Sequence, residues 1–213
     1  LSPSSAASDV YKRQVYGGVD YAKIKAKLEE VWQSDGAGRD ALRKELATVR
    51  DIPFIKYYGN PILKEYTPYA PYGVETPCVL KEDDTYYMFF TTLEKRETAS
   101  RIAMATSPDG FEWTLWNDGK PILPLGNPGE WDEVSHGTPN VFYNTWHDVD
   151  GRRWWMYYAG RAADGVTRIG LATAESITGP WVKHPSNPLL EPGPPGSWAS
   201  ARVFDPSVVI REH

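Results

Sequence analysis

Two short runs of almost unbroken apolar and aromatic residues, Thr85-Tyr-Tyr-Met-Phe-Phe-Thr-Thr and Arg153-Trp-Trp-Met-Tyr-Tyr-Ala, stand between polar stretches. Runs of this length suit strands packed on both faces and are too short for buried helices. Each is followed by a second run, residues 101–106 and 168–173, and then by turn chemistry, Ser107-Pro-Asp-Gly and Ser176-Ile-Thr-Gly. Proline and glycine preset the backbone angles of such turns. A further strand is predicted at 112–116 and 181–184, opened by Trp113 and Trp181. One more precedes each set, at 78–81 and 141–143.

The pattern recurs along the chain. Pro121 and Pro188, Trp131 and Trp198, Pro139 and Pro206, and Arg101 and Arg168 are each 67 residues apart. A looser copy starts at Asn60-Pro-Ile-Leu and continues to Glu75-Thr-Pro-Cys-Val. Self-similarity at a fixed period marks one supersecondary unit stacked on copies of itself, because a lone unit cannot bury its apolar faces. Four antiparallel strands per unit, with aromatic anchors and turns between them, predict an all-β propeller. A sandwich would give serial strands without matched Trp and Pro anchors. Within 54–213, blade one spans about 74–123, blade two about 137–190, and blade three begins at 204. Propellers close with roughly four to eight blades. The chain is therefore expected to be a truncated part of a longer propeller, inactive by itself.

Ahead of the repeat, Tyr21, Ile24, Leu28 and Val31 share one face at helical spacing. Asp40 then caps a second stripe of Leu42, Leu46 and Val49. This predicts a helical hairpin over 19–53. It is preceded by an unstructured leader over 1–18 that does not read as a native start. No apolar stretch is long enough for a membrane span or a signal-peptide core. With such a beginning, secretion stays open.

Charge narrows the partner. A net charge of −5 and a pI near 5.4 argue against nucleic acid and anionic membrane as ligands. The single cysteine, Cys78 beside Pro77, reads as simple burial, and the four histidines lack zinc-ligand spacing. There is no nucleotide phosphate loop and no serine nucleophile elbow. No metal or cofactor is expected. Nine Trp and thirteen Tyr are the outstanding excess. Trp113, Trp131, Trp181 and Trp198 recur with the repeat, so packing is their first role.

The ordered motifs Asn-Pro-Ile/Leu-Leu, x-x-Pro-x-Val, Tyr-Tyr-Met-Phe-Phe and Arg-Ile-x-x-Ala-Thr-Ser-Pro-Asp-Gly-x-x-Trp resemble the five-bladed β-propeller glycosidases. These are glycoside hydrolase families 43, 32 and 68, with the related family 130 phosphorylases. The resemblance covers about 55–213. It implies an enzyme that cleaves glycosidic bonds of an oligo- or polysaccharide, using paired carboxylates at the propeller axis. It places those acids at the starts of each blade's innermost strand, one or more in an Asp-Pro context.

Carried over by position, Phe204-Asp205-Pro206 matches that context, and Glu75-Thr76-Pro77 offers a carboxylate one residue earlier. Ser135-His136-Gly137-Thr138-Pro139 has no acid beside its proline. The resemblance thus makes Glu75 and Asp205 the catalytic candidates. His136, Glu133, Arg161, Arg202, Tyr72 and Trp131 are the candidates for substrate binding, the last two as aromatic walls. Arg101 and Arg168 recur with the repeat and read as structural. Two alternatives stay open: a glycoside phosphorylase, in which His136, Arg161 or Arg202 holds phosphate, and a carbohydrate-binding propeller without turnover.

Overall fold

The aromatic runs become the middle of two antiparallel sheets. In the computed structural model, residues 57, 59–63, 68–95 and 99–209 are described. The chain divides into Leu1–Pro61, nearly all outside those residues, and Ile62–His213, which holds every described strand. The leader expected over 1–18 and the helical hairpin over 19–53 lie outside the described residues.

The first sheet runs in sequence order through β1 (Val74–Glu82), β2 (Thr85–Lys95), β3 (Ala99–Ser107) and β4 (Thr114–Leu115). The second runs through β5 (Ser135–Tyr143), β6 (Trp154–Arg161), β7 (Thr167–Ala174) and β8 (Val182–Lys183). Their registers coincide. Met88 stands between Val79 and Ala105, and Met156 stands between Val141 and Ala172. The same ladder is therefore built twice, as the period demands.

Alternation along the middle strands packs both faces of the first sheet. Phe89, Ile102 and Met104 face Val141, Met156 and Tyr158 of the second sheet in one buried cluster. Met88, Phe90, Ala103 and Ala105 form another on the opposite face, with Trp113 and Leu115 against them. Trp181 sits edge-on to Phe89 at 5.8 Å and 88°. A fully buried Val, Ile, Phe or Met side chain stabilises by about 1.5–3 kcal/mol, so the joint between the sheets is mainly apolar.

The strands β1 and β5 begin earlier than the periodicity predicts because each continues through a bulge. Register shifts fall between Glu75 and Cys78 and between Gly137 and Asn140. At the same place the residue before proline is left-handed, with φ of 49° at Thr76 and 49° at Thr138. Asp205, before Pro206, repeats the conformation at φ 52°. A bulge turns its backbone groups out of the ladder, and a buried N–H then needs another partner. Thr138 N–H donates across the sheet boundary to Thr91 Oγ1 at 2.8 Å, and Thr91 Oγ1 also meets Thr76 Oγ1 at 2.6 Å. Val141 N–H donates to Cys78 Sγ at 3.3 Å. Burial raises the pKa of that thiol, which suits its role as a neutral acceptor.

One expected anchor departs from the pattern. Trp131 is half-buried against Gly160 and Gly170, whose missing Cβ atoms leave room for its ring. Its counterpart Trp198 is 99% exposed. Among the described residues no later strand offers Trp198 such a glycine-lined surface. Residues 203–209 are likewise not in a sheet. They are tied back by Val203 N–H to Thr167 O (3.3 Å) and by Val208 N–H to Asn140 Oδ1 (3.1 Å).

The threonine bridge has a measurable consequence. Thr91→Val keeps the shape but leaves the buried Thr138 N–H without an acceptor, which costs about 1–3 kcal/mol. Thr91→Ser, which restores the hydroxyl, recovers most of it. Denaturant unfolding of the three proteins checks this, and equal stability of wild type and the valine variant refutes the bridge.

Candidate active site

Glu75 opens β1, Ser135 and His136 open β5, and Thr167 opens β7, while Lys95 and Arg161 close β2 and β6. Antiparallel order brings all of these to one end of the two sheets. There they line a cleft of about 180 Å³, completed by Arg202 and Phe204. That volume lies below the ~300–1,000 Å³ of pockets for drug-sized ligands and suits a single sugar unit. Four of the residues singled out in the sequence, Glu75, His136, Arg161 and Arg202, share this cleft.

Asp205 does not line it. It lies in an adjoining recess of about 210 Å³ with Thr76, Pro77, Cys78, Pro139 and Asn140, and Thr138 forms a wall of both spaces. The reason is the bulge. By backbone conformation the equivalents of Asp205 are Thr76 and Thr138, so Glu75 matches Gly137 and Phe204 instead. Gly137 is tightly approached in its unit: a Cβ there would meet the Thr91 side chain at 2.8 Å, so Thr91 or the strand would have to shift. A carboxylate-bearing residue at the Glu75 position of the second sheet would therefore displace Thr91 from its contacts.

The remaining candidates lie elsewhere. Glu133 braces a loop, its carboxylate accepting N–H donations from Gly129 (2.7 Å) and Ala163 (3.0 Å). Tyr72 is 59% exposed, and its backbone N–H donates to Leu93 O at 3.2 Å. Trp131 stacks at a tilt on Tyr158, with ring centroids 5.3 Å apart. Neither ring belongs to the cleft lining; the aromatic there is Phe204, with the Arg202 guanidinium 5.9 Å from its ring centre.

His136 is 1% exposed. Its Nε2 lies 3.0 Å from Leu123 O, a carbonyl that can only accept, so Nε2 carries the proton. Nδ1 is then a lone-pair acceptor, buried and without a partner among the described residues. Burial, followed by the positive charges of Lys183 and Arg101, pushes its pKa down to about 3. The ring is a neutral acceptor buried beneath the cleft that His136 lines.

Below it lies Asp132, which with Glu133 is the carboxylate nearest the proline of the second unit in the sequence. Asp132 is 0% exposed, takes Lys183 Nζ at 2.7 Å and accepts the Tyr158 hydroxyl at 3.0 Å. Burial, then the Asp132 charge, raises the pKa of Tyr158. Tyr158 in turn stands edge-on to His136 at 5.8 Å. Breaking a buried ion pair leaves an uncompensated charge, so Lys183 and Asp132 hold the floor together. The sequence offers Asp132 only as a carboxylate near the second unit's proline; its burial and its pairing with Lys183 come from the fold.

The histidine makes stability depend on pH. An unfolded histidine takes up its proton near pH ~6.5, whereas the folded one resists until about pH 3. Between those values the unfolded chain binds more protons, so stability falls as pH falls. His136→Gln keeps a donor for Leu123 O but cannot titrate. Unfolding midpoints measured down this range should fall more steeply for the wild type than for the variant; parallel slopes contradict the assignment.

Comparison with known proteins places these features in a family. Residues 58–213 match the glycosyl hydrolases family 43. The chain is 25% identical over 166 residues to an arabinoxylan arabinofuranohydrolase of Bacillus subtilis, covering 71% of this chain and 30% of that protein. A solved family 117 glycoside hydrolase from the marine bacterium Zobellia galactanivorans is 26% identical with a TM-score of 0.50, over 61% of this chain and 37% of the other. The chain thus spans about a third of the length of the relatives it matches.

Proposed function

This chain belongs to glycosyl hydrolase family 43, and from that premise we propose that it supplies the axial site of an enzyme that cleaves glycosidic bonds in an oligo- or polysaccharide. The observation that carries the reading is the shared cleft, where Glu75, His136, Arg161 and Arg202 arrive from separate segments of chain. In this reading the two sheets are consecutive blades of a five-bladed propeller, and Asp205-Pro206 opens the third.

Glycoside cleavage needs one carboxyl group that donates a proton to the leaving oxygen and another that stays ionised to attack or to activate water. Glu75 and Asp205 are proposed for these roles, reaching the sugar from the cleft and from the recess beside it. His136 accepts a sugar hydroxyl at Nδ1, and Arg161 and Arg202 orient the ring by donating to its oxygens. Arabinoxylan, named in the Bacillus subtilis relative, is the first polysaccharide to assay.

One observation favours a second reading. The residue before proline is an acid only in the third unit and threonine in the other two, which suits a carbohydrate-binding propeller without turnover. Kinetics of the intact protein separate the two. Glu75→Gln and Asp205→Asn should each lower kcat by about 10²–10⁴-fold with the fold unchanged. Unaltered turnover in both variants, or sugar binding with no turnover in the wild type, overturns the hydrolase reading. Release of a sugar 1-phosphate only when phosphate is added points to phosphorolysis.

A further inference from the structure

The cleft inverts the charge of the chain that builds it. The protein carries 28 acidic residues against 23 lysines and arginines, yet among the described residues the cleft wall holds three cations, Lys95, Arg161 and Arg202, against the carboxylate of Glu75. Arg101, Arg152, Arg153 and Arg168 each hold a carboxylate, at 3.5, 2.9, 3.4 and 2.9 Å. Lys95 and Arg202 are exposed at the rim, and neither is ion-paired with a described carboxylate.

We propose that this cleft takes an acidic sugar, one bearing a carboxylate or a sulfate, with Lys95, Arg161 and Arg202 receiving the anionic group. The inference rests on the carbohydrate reading above and adds the substrate class to it. A planar guanidinium matches a carboxylate or sulfate with two parallel N–H donors, and the ammonium of Lys95 adds a mobile point charge. Cations around a cleft also raise the local concentration of an anionic ligand and speed its capture.

The rest of the wall favours an anion carried on a sugar over free phosphate. Phe204, beside Arg202, offers an apolar face for the C–H side of a sugar ring, for which inorganic phosphate has no use. His136 Nδ1 is a buried, unpartnered acceptor. It fits a hydroxyl donor and repels the lone pairs of an oxyanion. Glu75 likewise accepts hydroxyls and opposes a free dianion. Acceptors on the floor and donors at the rim describe a ligand with hydroxyls at one end and a negative charge at the other.

The test compares matched ligands on the intact protein by calorimetry: methyl glucuronide with methyl glucoside, glucose 6-sulfate with glucose, and inorganic phosphate alone. The acidic member of a pair should bind about tenfold more tightly, and the advantage should shrink at high salt, which screens charges at the protein surface. Arg202→Gln combined with Lys95→Gln should bring the acidic-to-neutral ratio toward one. Lys81→Gln, which removes a cation of the same sheet outside the cleft, should keep it. Equal affinity within both pairs overturns the inference and leaves the carbohydrate reading standing. Phosphate binding as tightly as the acidic sugars overturns it in favour of a free-anion site. Failure of every sugar to bind overturns both.

Discussion

Thr138 carries its N–H across the boundary between two sheets to the side chain of Thr91, because a left-handed residue before proline has turned it out of its own ladder. A β-branched residue at positive φ is an outlier, and such strain costs of the order of 1–3 kcal/mol at each site. One hydrogen bond returns only about 0.5–1.5 kcal/mol. The balance comes from what the bulge permits: β5 lies directly on the first sheet, burying Val141 with Phe89, Ile102 and Met104. Packing holds the strained turn, and the turn sets where the strand heads point.

That geometry decides which side chains can form a site. At the bulge, neighbouring positions serve different spaces: Glu75 lines the cleft, and Thr76 lines the recess next to it. Thr91 approaches Gly137 closely enough that a Cβ there would force a shift, and the second sheet brings His136 to the cleft and no acid. The histidine is neutral because it is buried and faces two cations. Its floor is kept rigid by the Lys183–Asp132–Tyr158 contacts. Chemistry at the rim therefore stands on a polar group buried under it, above the ion pair of Lys183 and Asp132.

The sheets were legible in the sequence because period and burial agree. Tyr87-Met-Phe-Phe and Trp155-Met-Tyr-Tyr alternate between two packed faces, and the Met88 and Met156 registers follow from spacing alone. The site was less so. A proline preceded by threonine gives no sign in one sequence that its backbone is left-handed, so Glu75 looked like a shifted copy of Asp205 when it is the counterpart of Gly137. Trp131 and Trp198 share a period but not a neighbour, since a tryptophan anchor needs the glycines of another strand pair to receive it. Glu133 looked available until Gly129 and Ala163 presented their N–H groups to it. Lys183 is distant in sequence from Asp132, and only the fold of β8 onto β7 brings it there.

The central claim is that strand heads from two repeats form one sugar site. A crystal structure of the intact protein with a bound monosaccharide tests it most directly. The account predicts density in the cleft, with a sugar hydroxyl donating to His136 Nδ1, oxygens within reach of Arg161 and Arg202, and Glu75 facing the ring. A sugar bound away from the heads of β1 and β5, with His136 Nδ1 still unpartnered, would contradict it.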